Sequence, residues 1–235
     1  MQLIDSHCHL DRLPKYKIPE GLIPVTVGYT HSSNEKAASI AKKNAIPFAL
    51  GIAPQTAIKE DISKLDEWID FIRKNSPNAI GEVGLDYHWA KNEHEQQLEQ
   101  AVFRRMLGLA LEMKLPLVIH ARKATTEVLD FIQMECPGRP FMLHFFSGTV
   151  HDAKRAVEMG GLISIPPVMS KDRELAIEAL GLESLLVESD APYVGKTPDQ
   201  TMEAVEHIAE IKKVKKESVI RQTADNAKRF FNIKV

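Results

Sequence analysis

Two histidines near the start of the chain, His7 and His9, form a pattern that can bind a metal ion. In an extended strand, residues i and i+2 point to the same face, so both imidazoles face one way while Cys8 faces the other. Two neutral imidazoles on one face can share a divalent cation. Short His-x-His patterns also occur as ordinary polar strand ends, and this pattern alone leaves both interpretations open.

The same arrangement, a short apolar run that ends in metal-binding side chains, recurs four times further along the chain. The side chains that end these runs are Glu82 with Asp86, His120, His144, and Glu188 with Asp190. Buried parallel strands read as continuous apolar runs, and in a (β/α)8 barrel the reacting groups lie where the strands end. The pattern therefore predicts that these side chains meet at one end of a barrel.

Strand-like and helix-like segments alternate about eight times. Strands are predicted at residues 2–6, 23–28, 47–52, 79–83, 116–120, 140–144, 161–165 and 184–188. Helices are predicted at residues 34–44, 61–75, 94–114, 125–135, 150–159, 171–180, 199–212 and 216–231, with a loop at 11–22. This alternation indicates an α/β fold, which we interpret as a single (β/α)8 TIM-type barrel domain over residues 1–235. A doubly wound open sheet is the alternative, but it would spread the candidate ligands over tens of ångströms.

Length and composition fit one such barrel. The chain has 235 residues, of which 44% are hydrophobic and 26% charged, as in ordinary soluble globular proteins. We find no apolar stretch of transmembrane length and expect no signal peptide. Cys8 and Cys136 lie far apart and suggest no disulfide framework. We therefore expect a cytoplasmic protein with no membrane partner.

Five sequence blocks occur in order between residues 4 and 193: IDSHCHL at 4–10, GEVGLDY at 81–87, PLVIHAR at 116–122, HFFSG at 144–148 and ESDAPY at 188–193. They resemble the signature blocks of the TatD-type metal-dependent deoxyribonucleases, which belong to the amidohydrolase-like barrels. Asn226 occupies the position of an asparagine in the last helix of that family. The resemblance implies a (β/α)8 barrel that hydrolyses phosphodiester bonds in DNA, commonly from a 3′ end.

The resemblance also implies a metal centre built from six residues, namely His7, His9, Glu82, His120, His144 and Asp190. Two adjacent cations need about six protein ligands if positions are to stay open for water and substrate. We expect Glu82 to bridge two divalent ions. His7, His9 and Asp190 would complete one site, and His120 with His144 the other. Mg²⁺, Mn²⁺ and Zn²⁺ are all compatible with these ligands.

Catalysis is assigned to Asp190 and Glu82. Asp190 would take a proton from the attacking water, because water bound to a metal becomes acidic enough to need only a nearby carboxylate. Asp5 and Asp86 are interpreted as groups that orient a ligand imidazole or a loop, with direct ligation as the alternative. The other five histidines, His31, His88, His94, His151 and His207, are read as structural.

Three departures from the family pattern affect the same end of the barrel. Ala53 stands where the family often has histidine, so a polar group that supports the site is expected to be missing. Lys123 replaces an acid in the block after His120, and the loop after Tyr193 is short. These changes indicate an altered substrate preference with unchanged metal chemistry.

Charge limits the form of any nucleic-acid substrate. A net charge of −2 and a pI near 6.5 oppose an extended DNA footprint, which needs many phosphate contacts. Several basic residues are nevertheless expected in loops at the predicted site: Arg12, Lys15, Lys17, Lys91, Arg122, Lys123, Lys171, Arg173 and Lys196. The rings of Tyr87, Trp89, Phe145 and Phe146 are expected there too, where they can stack on unpaired bases. We select Arg122, Trp89 and Tyr87 as substrate-binding residues.

These features predict a divalent-metal-dependent deoxyribonuclease that acts on DNA ends or short single strands. One alternative is a hydrolase of another ester or amide, such as aminoacyl-tRNA, because a fold does not determine its substrate. Another is a non-catalytic metal-binding scaffold. The scaffold would not need the water-activating Asp190, which this chain retains.

Overall fold

The computed structural model describes residues 2–234 and consists of eight parallel strands in a single sheet, ordered β1 to β8 as in the sequence. The strands are β1 (Leu3–Cys8), β2 (Leu22–Gly28), β3 (Phe48–Leu50), β4 (Ala79–Asp86), β5 (Leu117–Arg122), β6 (Phe141–Leu143), β7 (Leu162–Ile165) and β8 (Leu185–Val187). An open doubly wound sheet would reverse its strand order at a switch point. The uninterrupted order confirms the (β/α)8 barrel.

Nine α-helices within residues 2–234 surround the sheet. They are α1 (His31–Asn44), α2 (Pro54–Lys59), α3 (Leu65–Asn75), α4 (Glu93–Met113), α5 (Thr125–Glu135), α6 (Val150–Glu158), α7 (Lys171–Ala179), α8 (Thr201–Lys212) and α9 (Lys216–Phe231). Every strand except β8 is followed by a helix or a short 3-10 turn before the next strand, and β8 is followed by α8 and α9.

Side chains on each strand alternate between the barrel interior and the surrounding helices. On β5, Leu117 and Ile119 belong to the large hydrophobic core that includes the helices, whereas Val118 belongs to a separate cluster. That second cluster fills the barrel interior and contains Ile4, Val25, Val27, Ala49, Ala79, Val118, Met142 and Leu186, together with residues of α9. Below the functional end, therefore, the barrel is a packed core.

The structure differs from the sequence prediction mainly at element boundaries. β1 continues to Cys8, two residues beyond the predicted end, and α2 was not predicted at all. Helix α1 begins at His31 because the Thr30 and Ser33 side chains form a capping box, three residues earlier than the periodicity indicated. Proline at the first position of α2 favours the start of a helix. The segment has only six residues, which is too short for a helical periodicity to be recognised in the sequence.

The barrel closes between β1 and β8 through two backbone hydrogen bonds, which we call the barrel seam. Asp190 N donates to His7 O at 2.9 Å, and His9 N donates to Ala191 O at 2.8 Å. Both bonds lie just beyond the ladder of β8, at the carboxyl-terminal ends of the strands. The first and last strands are thus joined at residues that carry the predicted site.

No helix within residues 2–234 combines the length and apolar character needed to cross a membrane. Cys8 and Cys136 are both free and buried.

Candidate metal centre and mouth cavity

The six side chains predicted as metal ligands lie together at the carboxyl-terminal end of the barrel. They form three overlapping groups whose ligand atoms lie within 4.8 Å of one another: His7, His9 and Glu82; Glu82, His120 and His144; and His7, His144 and Asp190. Five of the six are buried, and His120 is half-buried. The other five histidines lie outside these groups, as far as the described residues extend.

The Glu82 carboxylate lies between two pairs of histidines and turns one oxygen toward each pair. Its Oε2 is 3.7 Å from His7 Nε2 and 3.8 Å from His9 Nε2. Its Oε1 is 2.9 Å from His120 Nδ1 and 3.4 Å from His144 Nε2. Asp190 Oδ1 lies on the first side, 3.5 Å from His9 Nε2. Each oxygen of the Glu82 carboxylate therefore has two imidazole nitrogens nearby.

An irregularity in β1 turns His7 and His9 toward the interior. Ile4 packs inside the barrel and the Ser6 hydroxyl meets that of Ser164 at 2.9 Å, so strict alternation would turn His7 outward. The pairing of β1 with β2 shifts its register between Asp5 and Cys8. A shift of one residue exchanges the two faces of a strand. Cys8 accordingly packs among apolar residues on the helix side, and the histidines on either side of it face the centre.

Three other strands place their site residues by simple alternation. Val118, Met142 and Leu186 are interior residues of β5, β6 and β8. The residues two positions later in the chain are His120, His144 and Glu188, which therefore extend the same interior face at the strand ends. Strand β4 instead needs its own register shift, between Ile80 and Val83, to present Glu82.

Gly84 lets β4 approach β5 closely at the site. A Cβ built on Gly84 would lie 1.9 Å from the carbonyl oxygen of His120, and its φ of +143° disfavours other residues. This close approach fixes the separation of the strands that carry Glu82 and His120.

The barrel seam positions Asp190. Its backbone bond to His7 holds the Asp190 residue, whose φ of +47° is in the left-handed region, beside the first histidine pair. The buried Asp5 carboxylate supports this turn by accepting hydrogen bonds from Ser189 N at 2.9 Å and Ser189 Oγ at 2.6 Å. Asp5 therefore orients a loop.

His9 and His120 each form a hydrogen bond through the outer ring nitrogen, which points away from Glu82. The inner nitrogen of each ring, which faces Glu82, is therefore free to act as a ligand. His9 Nδ1 donates to Val27 O at 2.9 Å, because a carbonyl can only accept, and this leaves a lone pair on Nε2. His120 Nε2 lies 2.9 Å from Asp86 Oδ2, which leaves Nδ1 facing Glu82. Inner nitrogens then face one another, with His7 Nε2 3.2 Å from His9 Nε2 and His120 Nδ1 3.2 Å from His144 Nε2. Lone pairs and carboxylate oxygens so close together fit divalent cations.

Gln55 supplies a polar contact that the sequence indicated as missing at Ala53. Gln55 Nε2 donates to Asp86 Oδ2 at 2.8 Å, the same oxygen that faces His120. The other oxygen, Asp86 Oδ1, accepts from the backbone nitrogens of His88 and Trp89. Ala53 itself supplies no polar group, as the sequence indicated, but a side chain two residues along the chain reaches the site from α2.

The electrostatics of the cluster without a cation favour protons on several histidines. Burial opposes charge on His120, but hydrogen bonds to Asp86 and Glu82 outweigh it and raise the pKa of His120 to about 9. The pKa of His144 is also raised, because Glu82 and Glu188 outweigh burial. Burial and the neighbouring histidines lower the pKa of His7. Cations that bind here must displace protons from these rings.

Glu188 is a buried part of the site that the ligand set did not include. Its Oε1 accepts from Phe145 N at 2.6 Å and lies 3.5 Å from His144 Nδ1. Its carboxylate faces the outer edge of the His144 ring at a longer distance than the 2.9 Å between Asp86 and His120. The position of Glu188 directly after the apolar run of β8 was a usable signal.

A cavity of about 450 Å³, which we call the mouth cavity, opens over the cluster. Its lining consists of His9, Tyr29, Thr30, Gln55, Thr56, Lys59, Glu60, Glu82, Trp89, His120, Arg122, His144, Asp190 and Tyr193. Two rings on this lining are unusually exposed, Trp89 at 47% and Tyr193 at 57%. Open polar and aromatic walls above buried ligands suit a substrate that is partly polar and partly planar.

Among the predicted substrate contacts, Arg122 and Trp89 line the mouth cavity. Tyr87 is not part of that lining, and its hydroxyl donates to Glu127 Oε1 at 2.7 Å. Lys59, which the sequence analysis did not select, lies over the Trp89 ring at 4.9 Å. Lys59 was missed because α2, which carries it, was not predicted.

Two residues expected in exposed mouth loops lie inside the protein. Phe146 is only 1% exposed and packs in the core. The buried Arg173 guanidinium donates to the backbone oxygens of Phe146 and Val168. Both predictions were wrong, because neither the loop position of Phe146 nor the position of Arg173 in the first turn of α7 shows whether a side chain turns toward solvent.

The sequence model for the family described as "TatD related DNase" matches residues 4–232. A protein of Methanocaldococcus jannaschii named uncharacterized metal-dependent hydrolase MJ1582 is 30% identical over 250 residues, covering 98% of this chain and 97% of that protein. The human protein named deoxyribonuclease TATDN3 is 27% identical, covering 97% of this chain and 94% of its own length.

Among solved structures, the TatD homologue YJJV of Escherichia coli K12 superposes with a TM-score of 0.85. The match covers 99% of this chain and 98% of that chain at 22% identity. This similarity is one of fold.

Proposed function

The chain belongs to the TatD-related DNase family and is a metal-dependent hydrolase, and on that premise we propose that it cleaves phosphodiester bonds in DNA, at ends or in short single strands. The similarity to human TATDN3, which is named a deoxyribonuclease, supports the choice of DNA. A cytoplasmic location is part of the same proposal.

The observation that carries the proposal is the division of the Glu82 carboxylate between two histidine pairs. One oxygen lies near His7 and His9 and the other near His120 and His144. We assign His7, His9 and Asp190 to one cation, His120 and His144 to a second, and Glu82 to both. Two cations, when bound, would acidify a water molecule and neutralise charge on the phosphoryl oxygens.

Asp190 is the proposed general base. Its Oδ1 atom belongs to the cluster, and the residue is 8% exposed, so it borders the mouth cavity while remaining in contact with the histidines. The proton of the attacking water would move to this carboxylate. A carboxylate at this position also holds the nearby His9 imidazole, whose pKa is raised because Asp190 and Glu82 outweigh the effect of burial.

Substrate binding is assigned to Arg122, Trp89 and the neighbouring Lys59. Arg122 can form a charge-assisted contact with a phosphate, and one face of Trp89 is covered by Lys59. The exposed remainder of the Trp89 ring can stack on an unpaired base. A net charge of −2 is consistent with few phosphate contacts and therefore with a short bound segment.

The test offers 3′-labelled single-stranded DNA, duplex DNA, RNA and aminoacylated transfer RNA side by side with Mg²⁺, Mn²⁺ or Zn²⁺. We expect nucleotides to be released fastest from unpaired DNA, with Asp190→Asn as the inactive control and Asp70→Asn, an exposed acid, as the matched active control. Release of the amino acid without any nucleotide release would instead support the ester hydrolase. No hydrolysis of any substrate, with cations bound, would support the scaffold.

A further inference from the structure

An arginine and two tyrosines form a hydrogen-bonded chain beside the mouth cavity. Arg12 Nη2 donates to Tyr29 Oη at 2.5 Å, and Tyr29 Oη lies 2.7 Å from Tyr193 Oη. Arg12 follows β1, Tyr29 follows β2 and Tyr193 follows β8. These neighbouring strands lie across the barrel from β5, which ends at Arg122. The hydrogen-bonded group of Arg12, Tyr29 and Tyr193 is therefore on the opposite side of the metal centre from Arg122.

The hydrogen-bonded group of Arg12, Tyr29 and Tyr193 contains one hydroxyl hydrogen that none of its three members accepts. A guanidinium has no acceptor, so Arg12 must be the donor to Tyr29. The two phenols carry two hydroxyl hydrogens, and the bond between them uses one. Neither hydroxyl has a further hydrogen-bond partner among residues 2–234. One hydroxyl hydrogen is left for a ligand.

The direction of the chain favours Tyr193 as the residue with the free hydrogen. Hydrogen bonds in which each hydroxyl both accepts and donates strengthen one another. That order runs from Arg12 to Tyr29 and from Tyr29 to Tyr193. Tyr193 is also the exposed end of the chain, at 57%.

The position and chemical state of Tyr193 suit an anionic oxygen. The Tyr29 and Tyr193 rings both pack edge-on against His9, with ring centroids 5.1 Å away, and both line the mouth cavity. A phenol has an ordinary pKa of about 10, so Tyr193 is protonated at neutral pH and can donate. A donor polarised by a cation binds a charged oxygen more strongly than a neutral one.

We propose that the Arg12, Tyr29 and Tyr193 chain binds a phosphate oxygen of the substrate, with Tyr193 as the residue in contact. The ligand class is a phosphate anion, and its assignment to a DNA phosphate rests on the proposed function. The phosphate would then be held between Tyr193 on one side of the metal centre and Arg122 on the other.

The experiment measures binding of inorganic phosphate to the metal-loaded protein by calorimetry, which needs no turnover. Tyr193→Phe should raise the dissociation constant about tenfold or more, the effect of losing a hydrogen bond to a charged group. Arg12→Met should weaken binding too, and the double variant should lose less than the product of the two single effects, because both residues act through one chain. Tyr16→Phe is the matched control, since its hydroxyl donates to Asp199 outside the cavity lining.

Unchanged phosphate affinity in Tyr193→Phe, with an unaltered unfolding midpoint, would overturn the proposal. If the effects of Tyr193→Phe and Arg12→Met on the phosphate dissociation constant simply multiply in the double variant, the claim that Arg12 acts through Tyr193 would be overturned. A wild-type protein that binds phosphate through Tyr193 and yet cleaves no DNA would support the anion site while removing the proposed substrate. The two proposals can therefore fail separately.

Discussion

Replacing Glu82 by glutamine should remove one of the two proposed cation sites while the barrel stays folded. Glutamine has nearly the same volume but presents one acceptor oxygen and one nitrogen that only donates. In the wild type, Oε1 lies 2.9 Å from His120 Nδ1 while Oε2 lies 3.7 Å from His7 Nε2. Glu82→Gln therefore leaves one histidine pair without its carboxylate oxygen, whichever way the amide turns.

The magnitude follows from the role of the lost atom. Removing a group that merely supports a metal ligand costs about 10 to 100-fold in affinity, and Glu82 is proposed as a ligand itself. The weaker site should lose at least about 100-fold, equivalent to about 2.7 kcal/mol. The other site should lose less, because it keeps an oxygen and loses only the negative charge.

Calorimetric titration of the metal-free protein with Mn²⁺ or Zn²⁺ provides the measurement. The wild type should bind two cations and Glu82→Gln one in the same concentration range. Asp70→Asn makes the same change of charge on an exposed helix position and should bind two. Two sites of wild-type affinity in Glu82→Gln, or a single site in the wild type, would refute the bridging role.

Three further substitutions test the base, the aromatic contact and the support of the metal ligands, and a fourth tests a buried acid. Asp190→Asn should lower the rate of hydrolysis of single-stranded DNA by at least about 100-fold in steady-state assays run at cation concentrations high enough to fill both sites. Trp89→Ala should weaken competitive binding of unpaired DNA ends by about tenfold or more and of paired ends by less, since stacking needs an exposed base. Gln55→Ala removes a hydrogen bond to Asp86 and should weaken cation binding by about tenfold in the same titration, whereas wild-type affinity would show that Gln55 does not support the site. Burial raises the pKa of Glu99 from 4.5 to about 7. Between these two pH values the folded protein keeps a proton on Glu99 that the unfolded protein has lost, so the free energy of unfolding falls as the pH rises. Glu99→Gln should therefore increase the free energy of unfolding at pH 8 by up to about 3 kcal/mol and have little effect at pH 4, as measured by urea denaturation.

The positions of the ligands could be predicted from sequence wherever a strand follows simple alternation. His120 and His144 each follow an apolar run, and the interior residues Val118 and Met142 lie two positions earlier on the same face. The repetition of this pattern on several strands was enough to indicate a barrel. His7 and His9 were predicted to share a face, and their imidazoles do lie together, because residues i and i+2 share a face whichever face that is. The register shift in β1, which decides the face, leaves no recognisable trace in the sequence.

The walls of the mouth cavity could not be predicted in the same way. Gln55 and Lys59 reach the cavity from α2, a helix of six residues, and so short a segment shows no periodicity. Tyr29 directly follows the apolar run of β2 and carried the same signal as the ligands, but it was not among the residues selected for the site. The orientation of residues such as Arg173, in the first turn of α7, depends on packing with distant segments, which local sequence does not reveal.

Because of the barrel seam, the metal centre is complete only when the whole barrel has folded. Asp190 is held beside His7 and His9 only when the last strand has joined the first, so a chain that has formed most of its strands still lacks the complete centre. Contacts between residues so distant in sequence form late, because the entropy of closing the loop between them must be overcome first. Cations that bind only to the closed barrel then stabilise the closure, by an amount that grows with their concentration. Metal supply would act on the lifetime of the folded enzyme as well as on its chemistry.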